Sequence, residues 1–356
     1  STLKDAASAA LYGARGSNGV VMITTKRGKG KPRFELQARY GVNSRAVEEY
    51  DVIRDPGLFL ETYWEALRNS YAASTNATVR ENAALYASQY LFAPRTATEN
   101  LGVGGAGYNP YNVPHYQVID PTTGKLNPSA QLLFNDNWED IMYERRPRQE
   151  YNGTLSGSSD KTRYYVSLGY LNDKGYVVKS DFTRVTGRVN LEQEVNRWLR
   201  FGINGSYANT KSNTTQEGNN TYQNSFYYTR GVAPIYPVYL RDTSAANRGA
   251  YVYDNNGNRI FDFGNNIMGT RKYAATENPR ATLDLDIYNN KADNISARSF
   301  AEISFLPELK FTFNYGADLT NFSGVSFQNP IYGNAAGVNG RGTVSSGKDL
   351  TTNINQ

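Results

Sequence analysis

Residues 151–209, YNGTLSGSSDKTRYYVSLGYLNDKGYVVKSDFTRVTGRVNLEQEVNRWLRFGINGSYAN, alternate apolar and polar side chains in four runs of about ten residues separated by turn clusters. Tyr164, Val166, Leu168 and Tyr170 point one way, and Tyr165, Ser167 and Gly169 the other. Val185, Val189 and Leu191 alternate with Arg184, Thr186, Arg188 and Asn190; Leu199, Phe201, Ile203 and Tyr207 alternate with Arg200, Asn204 and Ser206. Successive side chains of a strand project to opposite faces, so each run has one apolar and one wet face. Strands of this length with turns between them are the signature of a transmembrane β-barrel. A large soluble antiparallel sheet gives the same alternation, so the pattern leaves both open.

The same period recurs on either side. Phe34, Leu36, Ala38, Tyr40 and Val42 oppose Glu35, Gln37, Arg39 and Asn43. Farther on, Ile295, Ala297, Ala301, Ile303 and Phe305 oppose Ser296, Arg298, Glu302 and Ser304. Leu309, Phe311, Phe313, Tyr315 and Leu319 oppose Lys310, Thr312, Asn314 and Asp318, and a last strand begins near Gly347. About eight strands result, and their connections alternate in length. Tight turns at 158–162, 194–197 and 306–308 fall between longer connections at 44–150, 171–180, 210–293 and 321–347. Outer-membrane barrels place short turns on the periplasmic side and longer loops outside, which predicts this phase. A soluble sandwich has no reason to put its long insertions at every other connection.

Composition removes other classes. No run approaches the roughly twenty apolar residues of a membrane helix, while alternating strands average to a polar sequence and escape that test. There is no cysteine, hence no disulfide framework and no thiolate metal site. The sole histidine, His115, lies in a Pro/Tyr/Asn-rich loop where exposure is expected, and zinc or Ser-His-Asp chemistry would rest on it alone. No acid/base pair is identifiable, so the chain reads as a non-enzyme without cofactor or metal. The net charge of +5 is too mild and dispersed for nucleic acid. Asp254, Asn256 and Asn258 have the spacing that opens a calcium loop, but the glutamate that completes one is missing and Asn-Gly is a common turn. No signal peptide opens the chain, and its abrupt ends read as those of a piece of a longer protein.

Inside the first long connection, residues 56–71 have the pattern of an amphipathic helix and 78–91 that of a weaker one; 102–114 is loop and 118–126 a tight hairpin turn. Near the start, 3–12 is a short alanine-rich helix candidate, followed by a glycine-punctuated loop at 13–19 and a β-branched strand at 20–26. This ordered string, LKDA at 3–6, LYGARGSNG at 11–19 and VVMITTKRGK at 20–29, resembles the end of the plug domain of TonB-dependent outer-membrane transporters, in the SusC/RagA-like branch. NWEDIMYE at 137–144 resembles the segment before that family's second barrel strand.

The resemblance implies an all-β membrane protein, an antiparallel barrel of about twenty-two strands around an N-terminal plug. Residues 1–31 would be the plug's C-terminal part and 32–356 the first strands of the barrel, with extracellular loops at 44–150, 210–293 and 321–347. It further implies a multi-pass protein of the cell outer membrane, in contact with lipid and lipopolysaccharide. Its activity would be TonB-dependent import of an oligosaccharide or oligopeptide, with a SusD-like surface lipoprotein as lid and a TonB–ExbB–ExbD complex as energy source. A soluble secreted glycan-binding β-module would explain the alternation and the tyrosines, but not the loop phase or the plug-like opening. A non-transporting adhesin on a small closed barrel fails on the plug.

Two sets of residues are candidates for function. Tyrosine is enriched, 28 against 15 Phe, and its rings cluster in the long loops. Tyr108, Tyr111, Tyr116, Tyr222, Phe226, Tyr227, Tyr228, Tyr236 and Tyr239 could stack on sugar rings or pack on peptide side chains, or else pack the loops together. On the polar strand faces, Glu35, Arg39, Arg184, Arg188, Arg200, Arg298, Glu302 and Asp318 could hold the plug through ion pairs, or simply line a solvated lumen.

Overall fold

The structure is a computed structural model and describes residues 2–3, 20–21, 28–47, 50–93, 102–214, 224–306, 308–331, 335 and 338–355. Eight strands form one antiparallel sheet: β1 Arg33–Asn43, β2 Arg146–Ser158, β3 Thr162–Lys174, β4 Asp181–Glu194, β5 Leu199–Asn213, β6 Ile287–Leu306, β7 Leu309–Gln328 and β8 Arg341–Asn355. Each pairs only with its neighbours in sequence, an up-and-down order with β1 and β8 at the two edges. All three tight turns therefore lie at one end of the sheet and every longer connection at the other.

The register keeps every strand in phase. Tyr151 faces Tyr170 and Tyr170 faces Val185; Val166 pairs with Val189, Leu191 with Ile203, Tyr207 with Ile295, Ile295 with Leu319 and Leu319 with Leu350. One face is thus a continuous apolar belt across all eight strands. A slip of one residue anywhere would flip a whole strand's set to the other face, so this pattern itself fixes the pairing. Large side chains on the belt stand exposed, Leu36 at 70% and Leu168 at 68%. An uncovered belt of that size is unfavourable in water and suits lipid. Trp198, Phe305 and Leu306 sit exposed around the tight-turn end.

Several strands run farther than the apolar pattern indicates. The long connections narrow to 44–145, 214–286 and 329–340, against 44–150, 210–293 and 321–347 from sequence. Polar runs such as NNKAD beside the second insertion continue the ladder because pairing uses backbone groups and needs no apolar face. The β6 and β7 strands reach 20 residues each, about twice what a tilted strand needs to span a bilayer, so they project beyond the belt.

The 3–12 helix lies outside the described residues, except that Leu3 belongs to a two-residue strand, Thr2–Leu3, paired antiparallel with Val20–Val21; the remainder of the 20–26 strand is likewise outside them. The link into β1 is held at the tight-turn end: Gly30 N donates to Ser158 Oγ and Ser158 N donates to the Gly30 carbonyl. A side chain at Gly28 would meet the carbonyls of Gly157 and Tyr164 at 2.0 and 2.2 Å.

The two long insertions fold together into a layer on the loop end. Helix α1, Pro56–Ala72, starts at the Asp55 cap, whose carboxylate accepts from Leu58 N, with proline at its first position. The weaker helix divides at Asn82 into α2, Ala77–Glu81, and α3, Ala83–Tyr90. Helix α4, Trp138–Met142, precedes β2; α5, Ser225–Gly231, and α6, Pro279–Leu285, belong to the second insertion. The 118–126 turn forms, with Ile119 bridged to Leu126. Leu60, Trp64, Phe92 and Ile119 from the first insertion share one core with Ile235, Tyr236, Leu240 and Met268 from the second. This layer, not the sheet, holds most of the buried hydrophobic side chains.

Candidate functional site

Two surfaces can meet a solute: the loop layer and the polar face of the sheet. The loop layer is organised by a buried ion pair. Asp262 and Arg271, both fully buried, approach to 3.6 Å. Asp262 Oδ1 accepts from Tyr108 Oη (3.1 Å), Gly264 N (2.7 Å) and Asn266 Nδ2. Arg271 donates to Tyr228 Oη at 2.9 Å and to the carbonyls of Ala274 and Glu277. Charges taken out of water persist only when paired and hydrogen-bonded, and this cluster supplies both. Burial pushes the Tyr108, Tyr228 and Tyr236 hydroxyls well above their ordinary range. Burial alone would lower Arg271, but the phenolic oxygens and Asp262 around it more than offset that and hold it charged.

A second pair joins the insertions. Asp136 accepts from Arg241 Nη2 at 2.6 Å and from Val238 N at 2.8 Å. The Arg241 guanidinium also lies 3.8 Å from the Tyr251 ring centre. At the base of the layer Glu139 binds both Arg45 (2.9 Å) and Arg54, and Arg45 sits over the rings of Tyr143 and Phe226. Trp138 Nε1 donates to the Tyr236 carbonyl at 2.8 Å. At the loop end of the sheet Arg146 Nη2 of β2 meets Asp181 of β4 at 2.8 Å, and Asn329 of the third long connection donates to Asp286 of the second.

The aromatic candidates divide by burial. Tyr108, Tyr111, Tyr228 and Tyr236 are buried in the layer's core, where they pack the loops together; Tyr108 meets Tyr236 edge-on at 5.1 Å. Burial raises the Tyr111 hydroxyl to about 12. Phe226 is half-buried and stacked on Tyr143, and Tyr239 is half-buried and stacked on Phe261 at 5.0 Å. Tyr116 and Tyr227 are exposed. Tyr222 lies outside the described residues. Tyr239 joins Tyr253, Asp254, Arg259, Phe261 and Phe263 around an open hollow of about 780 Å³. The Asp254 carboxylate caps its own turn, accepting from Asn256 N and Asn258 N. His115, expected to be exposed, is half-buried against Tyr116, and burial lowers its pKa.

On the polar face, six of the eight charged candidates are matched within the wall. Glu35 pairs with Arg33 (2.7 Å), Arg39 with Glu150 (3.7 Å), Arg200 with Glu302 (2.9 Å) and Arg298 with Asp318 (2.5 Å). Arg148, Arg163 and Lys310 extend these ladders to Asp173, Glu192 and Glu302. Arg184 and Arg188 are the exceptions. Both are exposed on β4, and no carboxylate among the described residues lies within 4.0 Å of either.

Sequence reasoning missed Asp262, Arg271, Asp136 and Arg241. Their roles depend on partners brought from distant segments, and a lone Asp or Arg in a Gly/Asn-rich stretch reads as solvated. Only their occurrence among aromatic residues could have raised suspicion.

No family model matches the chain. It is 26% identical over 344 residues to the TonB-dependent receptor SusC of Bacteroides thetaiotaomicron, covering 93% of this chain and 28% of that protein. To the TonB-dependent receptor P3 of Formosa agariphila it is 23% identical over 351 residues, 96% of this chain and 26% of that one. Among solved structures, the RagAB peptide transporter superposes with a TM-score of 0.64 at 20% identity, over 99% of this chain and 35% of that chain. The RagAB peptide importer in its "closed-closed" state gives 0.63 at 19% identity. The chain thus spans between 26% and 35% of these relatives' length. Its similarity to SusC/RagA-like TonB-dependent transporters runs through sheet and loop layer alike, and its fold is part of their antiparallel transmembrane β-barrel. These relatives are receptors and transporters, not enzymes.

Proposed function

We infer that this chain forms part of the wall and mouth of an outer-membrane transporter that imports a nutrient of the oligosaccharide or oligopeptide class in a TonB-dependent way. The observation that carries the reading is the agreement of two independent patterns. An apolar belt crosses all eight strands, and the connections sort by length onto the two ends of the same sheet. A water-soluble protein has no use for an uncovered apolar belt. A membrane wall requires one, together with an internally satisfied backbone.

In this reading the belt faces lipid and lipopolysaccharide, the polar face lines the lumen, and the folded layer stands at the extracellular mouth. Residues 1–31 are the end of the plug, entering β1 at the periplasmic end. A SusD-like lipoprotein closes over the layer, and a TonB–ExbB–ExbD complex draws on the plug from the periplasm. The exposed Tyr116 and Tyr227 and the hollow beside Tyr239 are surfaces for the lid or the solute. The buried tyrosines keep that surface in shape.

The test uses the complete protein, purified from outer membranes in mild detergent and weighed by native mass spectrometry, beside uptake in cells with and without TonB. A co-purifying lipidated subunit and TonB-dependent uptake are the expected results. A protein that stays soluble and monodisperse without detergent overturns the reading.

A further inference from the structure

The polar face is electrostatically uneven. Its charges are matched toward the tight-turn end, Arg163 with Glu192 and Arg200 and Lys310 with Glu302, and again beside the mouth, Arg148 with Asp173 and Arg39 with Glu150. Arg184 lies toward the mouth end of β4 and Arg188 at its middle, four residues apart and hence on the same face. Leu171 and Thr210 flank Arg184 across the ladder, and Ser167 and Ser206 flank Arg188. Neither pair of neighbours offers a counter-charge. In front of Arg188 is a hollow of about 500 Å³ whose polar-face lining includes Ser167, Thr186, Ser206, Ser296, Thr320 and Asp318. That volume is within the range of ligand sites, and five of its polar-face side chains are short and hydroxylated.

We propose that Arg184 and Arg188 form an anion-selective relay, through which the transporter favours cargo bearing carboxylate or other oxyanion groups. This rests on the import reading above. The guanidinium fork matches a carboxylate, sulfate or phosphate with two parallel hydrogen bonds. The surrounding hydroxyls add adaptable donors, and the one carboxylate lining the hollow, Asp318, is held by Arg298. Two such forks in sequence, the first near the mouth and the second in the hollow, let an anionic oligomer exchange one partner for the next. The chain's own candidate occupant of the lumen does not supply the missing charge. Residues 1–31 carry Lys4, Arg15, Lys26, Arg27, Lys29 and Lys31 against the single carboxylate of Asp5.

The experiment uses the full transporter with its co-purifying partner and two matched pairs of probes: tetragalacturonate against maltotetraose, and tetraglutamate against tetra-alanine. Binding to the purified complex is read by calorimetry at low and high salt, and uptake is read separately in cells. The complex should bind the anionic member of at least one pair about tenfold more tightly than the neutral one, since one charge-assisted contact is worth roughly a factor of ten. The preference should fall with salt. Arg184→Gln and Arg188→Gln should each remove most of it and leave neutral binding unchanged. The responding pair identifies the cargo as acidic saccharide or acidic peptide.

Equal binding of charged and neutral probes overturns the relay, whatever uptake shows. A loss of neutral and anionic binding together in the glutamine variants also overturns it, and assigns the arginines to holding the plug. Charge-selective binding without TonB-dependent uptake upholds the relay and sinks the import reading instead.

Discussion

Replacing Asp262 by alanine should unfold the loop layer locally while leaving the sheet intact. The change strands the fully buried Arg271 guanidinium without its counter-charge and takes the acceptor from Tyr108 Oη, Gly264 N and Asn266 Nδ2. Removing one member of a buried pair costs about 3–5 kcal/mol, because the remaining charge stays desolvated. The cost falls on local opening because, among the described residues, the cluster's contacts lie within the layer. Hydrogen exchange of the detergent-solubilised protein reads this directly. Amide protection across 224–286 and 102–134 should drop by roughly two to nearly four orders of magnitude, at about 1.4 kcal/mol per decade, with β2–β5 unchanged. Replacing both partners, Asp262→Leu with Arg271→Met, removes the uncompensated charge and should restore at least half of the loss, less the unmet carbonyls of Ala274 and Glu277. A fall of less than about tenfold for Asp262→Ala, or a double variant worse than the single one, would refute this account.

The two sheet faces should respond oppositely to charge. Val189→Arg, on the apolar belt, is expected to cost about 2–4 kcal/mol of folding into liposomes, whereas Ser206→Arg on the polar face should fold normally; equal tolerance would mean that the belt does not face lipid. Burial holds the Glu277 carboxyl above its ordinary value of 4.5, with Arg271 opposing the shift. A carboxyl whose folded pKa is raised contributes stability below its unfolded pKa and loses it as pH rises through the folded one. Glu277→Gln should therefore raise the layer's melting temperature at pH 8 more than at pH 4.5, and equal shifts at both values would disprove the link.

How far each feature could be read in advance follows from how local its cause is. Alternation is a property of one strand, so Val166, Val189 and Ile203 declared their face before any pairing was known, and the tight turns declared the phase of the connections. The strand ends were less legible. Beyond the belt, β6 and β7 continue through polar residues that only backbone pairing holds in the ladder. His115 and the tyrosines were the least legible, because an amphipathic ring suits a sugar, an interface or a core equally well. Tyr108 and Tyr236 are buried because a segment more than a hundred residues away covers them, and nothing beside them in the chain announces it.

By itself the sequence determined the architecture: eight antiparallel strands, one apolar face, loops to one end and turns to the other. These follow from a period of two and from turn chemistry, both encoded within a few residues. Only the tertiary structure decided which polar groups are spent and which are free. It matched Glu35, Arg39, Arg200, Arg298, Glu302 and Asp318 within the wall, set Asp262 against Arg271 in the core, and left Arg184 and Arg188 without a counter-charge among the described residues. Electrostatic pairing depends on distances of a few ångströms between side chains on different strands and loops, and register and packing set those distances.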